Sequence, residues 1–62
     1  MKTEDEIQDE ISLTESHIDV FRDYLAAKLD QGNFDAVADT ADEIAVLQAR
    51  LVALKWAITE IA

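Results

Sequence analysis

The sequence predicts an all-α fold: an antiparallel hairpin of two long helices with coiled-coil-like packing, self-associating into a four-helix bundle or a larger helical assembly. Three observations predict it. Apolar residues recur at helical spacing through both halves of the 62-residue chain. The one glycine, Gly32, stands near the midpoint, and there is no proline. Each half also carries apolar residues on more than one face, and two helices folded together cannot cover all of them.

The first helix is expected over about residues 3–31. Its opening, "TEDE", fits a capping box, in which the Thr3 hydroxyl accepts from the Glu6 N–H and Glu6 reaches back to the Thr3 N–H. Glu4, Asp5 and Glu6 stand where the helix dipole favours negative charge. Ile7, Ile11, Ile18, Phe21, Leu25 and Leu29 then follow at steps of three, four or seven, with Thr14 as the polar member of the stripe. Lys28 closes the heptad track near the helix end.

A turn is expected at about 31–33. Gly32 suits the left-handed position just past a helix end, where a side chain would clash. Asn33 is a good N-cap for the next helix, and Asp35 falls in its first turn. The stretch "QGNFDAV" resembles the turn between the two helices of a tetratricopeptide repeat, where a glycine, a polar residue, an aromatic and an acid open the second helix. The likeness spans that stretch alone and is one of turn chemistry. The repeat's small residue nine positions after the aromatic falls on Glu43, and its terminal proline is absent.

The second helix is expected over about 34–61. Val37, Ile44, Leu51 and Ile58 stand seven apart, as do Thr40, Leu47, Leu54 and Ile61, three residues later. These are a and d positions of successive heptads, interrupted only by Thr40. Alanine recurs at every fourth position from Ala41 to Ala57 (Ala41, Ala45, Ala49, Ala53, Ala57), either as helix propensity or as a ridge that lets another helix come close. With the turn at the centre, the arms are nearly equal, about 40 Å each at ~1.5 Å per residue. Facing residue numbers then add to roughly 64 about the central Gly32, given that rise. Phe21 is expected opposite Ile44, Ile18 opposite Leu47, Leu25 opposite the Thr40–Ala41 region, and Ile7 opposite Ala57–Ile58. The expected hairpin core is Ile7, Ile11, Ile18, Phe21, Leu25, Val37, Ile44, Leu47, Leu51, Leu54, Ile58 and Ile61, in a single domain over 1–62.

Apolar residues are left over. Leu13, Val20 and Tyr24 lie on a second face of the first helix. Ala38, Ala45, Ala49, Val52 and Trp56 form a second line on the second helix, with Trp56 and Tyr24 as favoured interface anchors. A chain this small buries only about 60% of its unfolded surface. Without cysteine it has no disulfide to compensate, so a second copy is the expected remedy. The expected partners are the protein itself, as a homodimer or higher homo-oligomer, and one other protein.

Charge narrows the function further. The formal net charge is −9. Residues 1–31 contribute nine acids and three bases, and residues 32–62 five acids and two bases. The bases Lys2, Arg22, Lys28, Arg50 and Lys55 are scattered, so direct nucleic-acid binding and attraction to anionic lipid are not expected. The start lacks the apolar run of a signal peptide, and no stretch reaches the ~20 apolar residues of a membrane span. A cytoplasmic location is expected, or a virion-associated one, since small alanine-rich hairpins are common among phage and mobile-element proteins.

Chemistry is sparse. His17 is the single histidine, and Thr14 stands three before it, where bundle metal sites place a glutamate. It reads as a packing or surface residue. Glu6 with Glu10, Asp19 with Asp23, and Asp35 with Asp39 are pairs on a solvated helix surface, without the cleft that general acid–base work needs. The expectation is no enzyme, no cofactor, no metal and no small-molecule substrate. The leading function is an oligomeric interaction protein. A second is an acidic mimic of nucleic acid that occupies a DNA-binding host protein through Asp5, Asp19, Asp23 and Asp30, which share one flank of the first helix with Ser12. A third follows from an architectural resemblance to Rop-like RNA-binding regulators, hairpins that dimerise into a four-helix bundle. That role calls for a basic face, and here Arg22 and Lys28 stand among nine acids.

Overall fold

The computed structural model describes residues 3–61. Helix α1 (Glu4–Asp30) and helix α2 (Phe34–Ile61) fill that span and pack against each other as a hairpin. Its extents are 44 × 15 × 14 Å.

The turn is built by local chemistry. Gly32 has φ of +73°, the left-handed region that glycine adopts without steric cost. With Gln31 as C-cap, the Asn33 N–H donates to the Lys28 carbonyl at 2.9 Å and the Gly32 N–H to the Leu29 carbonyl at 3.0 Å. That pair of bonds is the Schellman motif, and it satisfies two of the carbonyls a helix end leaves open. Asn33 then turns to the second helix: its side-chain Oδ1 accepts from the Ala36 N–H at 3.2 Å, and its carbonyl accepts from the Val37 N–H at 3.1 Å. One residue thus closes α1 and opens α2. At the far end of α1, the Thr3 hydroxyl accepts from the Glu6 N–H at 3.2 Å, the first half of the expected capping box.

The seam follows the heptad pattern. Ile7, Ile11, Thr14 and Ile18 are buried on α1, and Phe21, Leu25 and Lys28 are half-buried toward the turn. On α2, Thr40 is buried, and Val37, Ile44, Leu47, Leu51, Leu54, Ala57 and Ile58 are half-buried. The two polar members of the stripes are satisfied within their own helices. The Thr14 hydroxyl donates to the Glu10 carbonyl and the Thr40 hydroxyl to the Ala36 carbonyl, both at 2.7 Å. Each threonine therefore sits in an apolar seam without an unpaired hydroxyl.

Two apolar residues leave the expected seam. Ile61 was placed in the core by its heptad position but is 52% exposed. Ile61 lies in the last turn of α2, level with the first turns of α1, where little of either helix remains to cover it. Leu29 is 50% exposed, because it stands seven residues after Arg22 and fourteen after Glu15, beside the seam rather than on it. The cross-helix pairing also lies slightly beyond the midpoint rule. Lys55 reaches Glu15, numbers adding to 70, and Ile18 lines a groove with Gln48 and Leu51. Side chains tilt toward the N-terminus of their own helix. In an antiparallel pair that moves contacts away from the turn on α1 and toward it on α2, which raises the paired sum above 64.

Beyond Gly32 and its two chain neighbours no atom lies within 4 Å of where a side chain would begin, so a substitution there is strained through the backbone alone. Gly32→Val is expected to lower unfolding stability by about 1–2 kcal/mol, the left-handed cost for an L-residue. Equilibrium unfolding followed by circular dichroism checks this, and unchanged stability would rule out the cap.

Candidate interaction surfaces

A pair of helices touches along one line, so each helix keeps most of its circumference in solvent. On this chain that circumference is not polar. Among the described residues Leu13, Val20, Tyr24, Phe34, Val46, Val52 and Trp56 are between 49% and 68% exposed. Leu13, Val20, Tyr24, Val52 and Trp56 were expected there; Ala38, Ala45 and Ala49 are exposed with them. Phe34 and Val46 were not singled out by the sequence reading. The signal for Val46 was present, since it belongs to neither heptad track of α2.

The exposed residues fall on different sides. A helix advances about 100° per residue, so position on the wheel follows from the numbering. One broad side of the hairpin is polar. It carries the Lys55–Glu15 pair at 3.9 Å and a shallow groove of about 190 Å³ lined by Glu15, Ile18, Asp19, Arg22, Gln48 and Leu51. That volume is below the ~300–1,000 Å³ of small-molecule sites. The wheel places Leu13 and Tyr24 on the opposite broad side, together with Val46 of α2. Tyr24 is steadied there by Lys28, whose Nζ lies 5.2 Å from the ring centroid. His17 is exposed on the same flank. Phe34, Ala38, Ala45, Ala49, Val52 and Trp56 occupy the outer edge of α2, turned away from α1.

The alanine series crosses this edge. A four-residue step overshoots one turn by about 40°, so the series winds around the helix. Ala41, Ala45, Ala49 and Ala53 are exposed, and Ala57 has turned far enough to become half-buried. The line Ala38, Asp42, Ala45, Ala49, Val52, Trp56, Thr59 runs at alternating steps of four and three. That spacing is a second coiled-coil seam on α2, nearly opposite the first.

Asp5, Asp19, Asp23 and Asp30 are exposed on the back of α1, as the numbering requires. Nine net charges over a 44 Å rod is roughly one per 5 Å. Duplex DNA carries about one per 1.7 Å. Among the described residues no group of three or more histidine and carboxylate side chains converges as a metal site, and no helix is long and apolar enough to cross a membrane.

The Lys55–Glu15 pair is more than half exposed on both sides. Glu15→Gln is therefore expected to change unfolding stability by no more than about 1 kcal/mol, the usual range for such pairs. Urea titration at low and high salt measures it. Comparison of the chain with family models, with curated proteins and with solved structures gives no match.

Proposed function

We propose that the chain is a non-enzymatic helical interaction protein. It associates with copies of itself into a four-helix bundle or larger helical assembly and presents its remaining apolar surface to one other protein, in a structural, assembly or regulatory role. The observation that carries this reading is the imbalance of apolar side chains: among the described residues nine large ones are exposed, against Ile7, Ile11 and Ile18 as the buried apolar core. Contiguous apolar patches on a small protein mark places where another surface docks.

The nucleic-acid mimic is the second reading. The shared flank of Asp5, Asp19, Asp23 and Asp30 favours it, and the charge density, about a third that of duplex DNA, weighs against it. Direct RNA binding in the manner of a Rop-like regulator has weaker support, because the cations on α1 are Arg22 and Lys28 alone among the described residues.

Light scattering coupled to size exclusion tests the first reading, with a mass above one chain expected. Capture of a partner at rising salt separates the first two readings. Release by salt would favour the charge mimic, since interactions between exposed charges are screened within about 8–10 Å at 0.1–0.15 M. Retention would favour the apolar docking surface. Trp56→Ala and Val52→Asp are expected to lower the assembled mass more than Leu13→Ala at matched concentration. Trp56 contributes the largest apolar area, and Val52 sits mid-line on α2.

A further inference from the structure

We infer that the broad apolar side of the hairpin, opposite the Glu15–Lys55 pair, is a groove for one amphipathic helix of another protein, a helix with an apolar stripe and basic margins. This rests on the partner docking proposed above, and it names the surface used and the chemistry of the partner.

Spacing shapes the groove. On α1, Glu6, Leu13, Val20 and Ala27 stand seven apart. On α2, Asp39, Val46, Ala53 and Glu60 do the same. In a heptad-paired hairpin each such line keeps one bearing along the rod. Both lines are exposed and fall on the same broad side, with His17 and Tyr24 of α1 and Arg50 and Ala57 of α2 between them. Leu13, Val20, Tyr24 and Val46 are each between 49% and 66% exposed. With Lys55 level with Glu15, Tyr24 stands level with Val46 across the furrow. Two helices about 8–10 Å apart leave between them a depression in which a third helix touches both. An amphipathic helix laid in a groove is a common way for one protein to hold another.

Area leaves room for such a helix. The chain exposes 4576 Å². A compact protein of its mass exposes about 4,000 Å². The surplus, roughly 600 Å², matches what one partner contributes at the lower end of stable interfaces, ~600–1,000 Å² per side.

Charge selects the occupant. Among the described residues five acids border this side, Asp39 and Glu43 toward the turn and Glu6, Glu10 and Glu60 toward the open end. Two bases, Lys28 and Arg50, stand against them. The polar side is balanced instead, with Glu15 and Asp19 beside Arg22 and Lys55. A helix that covered Leu13, Val20 and Val46 would bring its own margins close to the bordering carboxylates. Lysine or arginine there is attracted, and aspartate or glutamate is repelled. A second copy brings the same five acids. Laid on this side it would set them against each other at about one helix spacing, ~8–10 Å, no more than about one screening length at physiological salt.

The probe is a labelled synthetic peptide of about three heptads, ~32 Å long as a helix. It has leucine at a and d and lysine at e and g, where like charges also keep it from pairing with itself. One control carries glutamate in place of lysine, and another keeps the lysines but moves the leucines off the stripe. Binding to the full chain is followed by fluorescence anisotropy at rising salt. The lysine peptide is expected to bind at least tenfold more tightly than either control, and to weaken with salt without release. Leu13→Gln and Val46→Gln change no charge, and both sites are exposed, so the hairpin is expected to keep its helicity by circular dichroism. Each is expected to weaken the peptide on the order of tenfold, through the apolar area it removes. Val52→Gln, on the outer edge of α2, is expected to leave binding unchanged. Equal binding of the lysine peptide with scattered leucines overturns the groove, since charge alone would then suffice. Weakening by Val52→Gln and not by Leu13→Gln or Val46→Gln overturns the groove and leaves a docking surface elsewhere. A fall in assembled mass from Leu13→Gln and Val46→Gln, with no peptide bound to the wild-type chain, makes a second copy the occupant and overturns the proposal. A wild-type mass of one chain overturns the self-association reading and leaves this groove to the peptide result.

Discussion

Two cylinders laid side by side meet along a line, and everything in this molecule follows from that. A core of one line has no interior layer, so no side chain on either helix is enclosed on every side. Ile7, Ile11 and Ile18 come closest, all three on the part of α1 that runs from its first turns to its middle. Toward the turn burial fades, and Phe21, Leu25 and Lys28 are only half-buried. The seam is well made where it exists, with even its two threonines hydrogen-bonded inward. What it lacks is breadth.

The turn makes that thin core sufficient to set the architecture. Gly32 supplies the backbone angle, and Asn33 completes the hydrogen bonding of both helix ends. The relative rotation of the two helices is thereby set by the turn. Val37 and Thr40 enter the seam within the first two turns of α2, and the heptad repeat carries the alignment along the rest. Because rotation is fixed, so is the destination of every other residue. Trp56 and Val52 face outward as a consequence of where Asn33 begins the helix.

Much of this was legible in the sequence, because it depends on local chemistry. Thr3, Gly32 and Asn33 do in the structure what their side chains, or lack of one, dictate, and the first helix ends within a residue of expectation, as helix ends allow. The seven-residue spacing on α2 identified the seam from Val37 to Ile58. Reading failed at the margins of the seam. Ile61 has the right position in its heptad, but it lies in the last turn of α2, where little of α1 remains to cover it. Leu29 falls in line with the exposed Glu15 and Arg22. The surplus residues were recognised as surplus, yet their distribution over two different sides needed the handedness of an antiparallel pair, as did the outward position of Val46.

The shared role of Asn33 has a consequence for how copies can combine. Small helical proteins often oligomerise by trading an arm, which requires the connection to straighten into one continuous helix. Here straightening would forfeit the two backbone bonds that close α1 and the side-chain bond that opens α2, and would force Gly32 out of its left-handed state. Exchange of arms is therefore opposed at its first step. A copy that met another would meet it as a finished, closed clip.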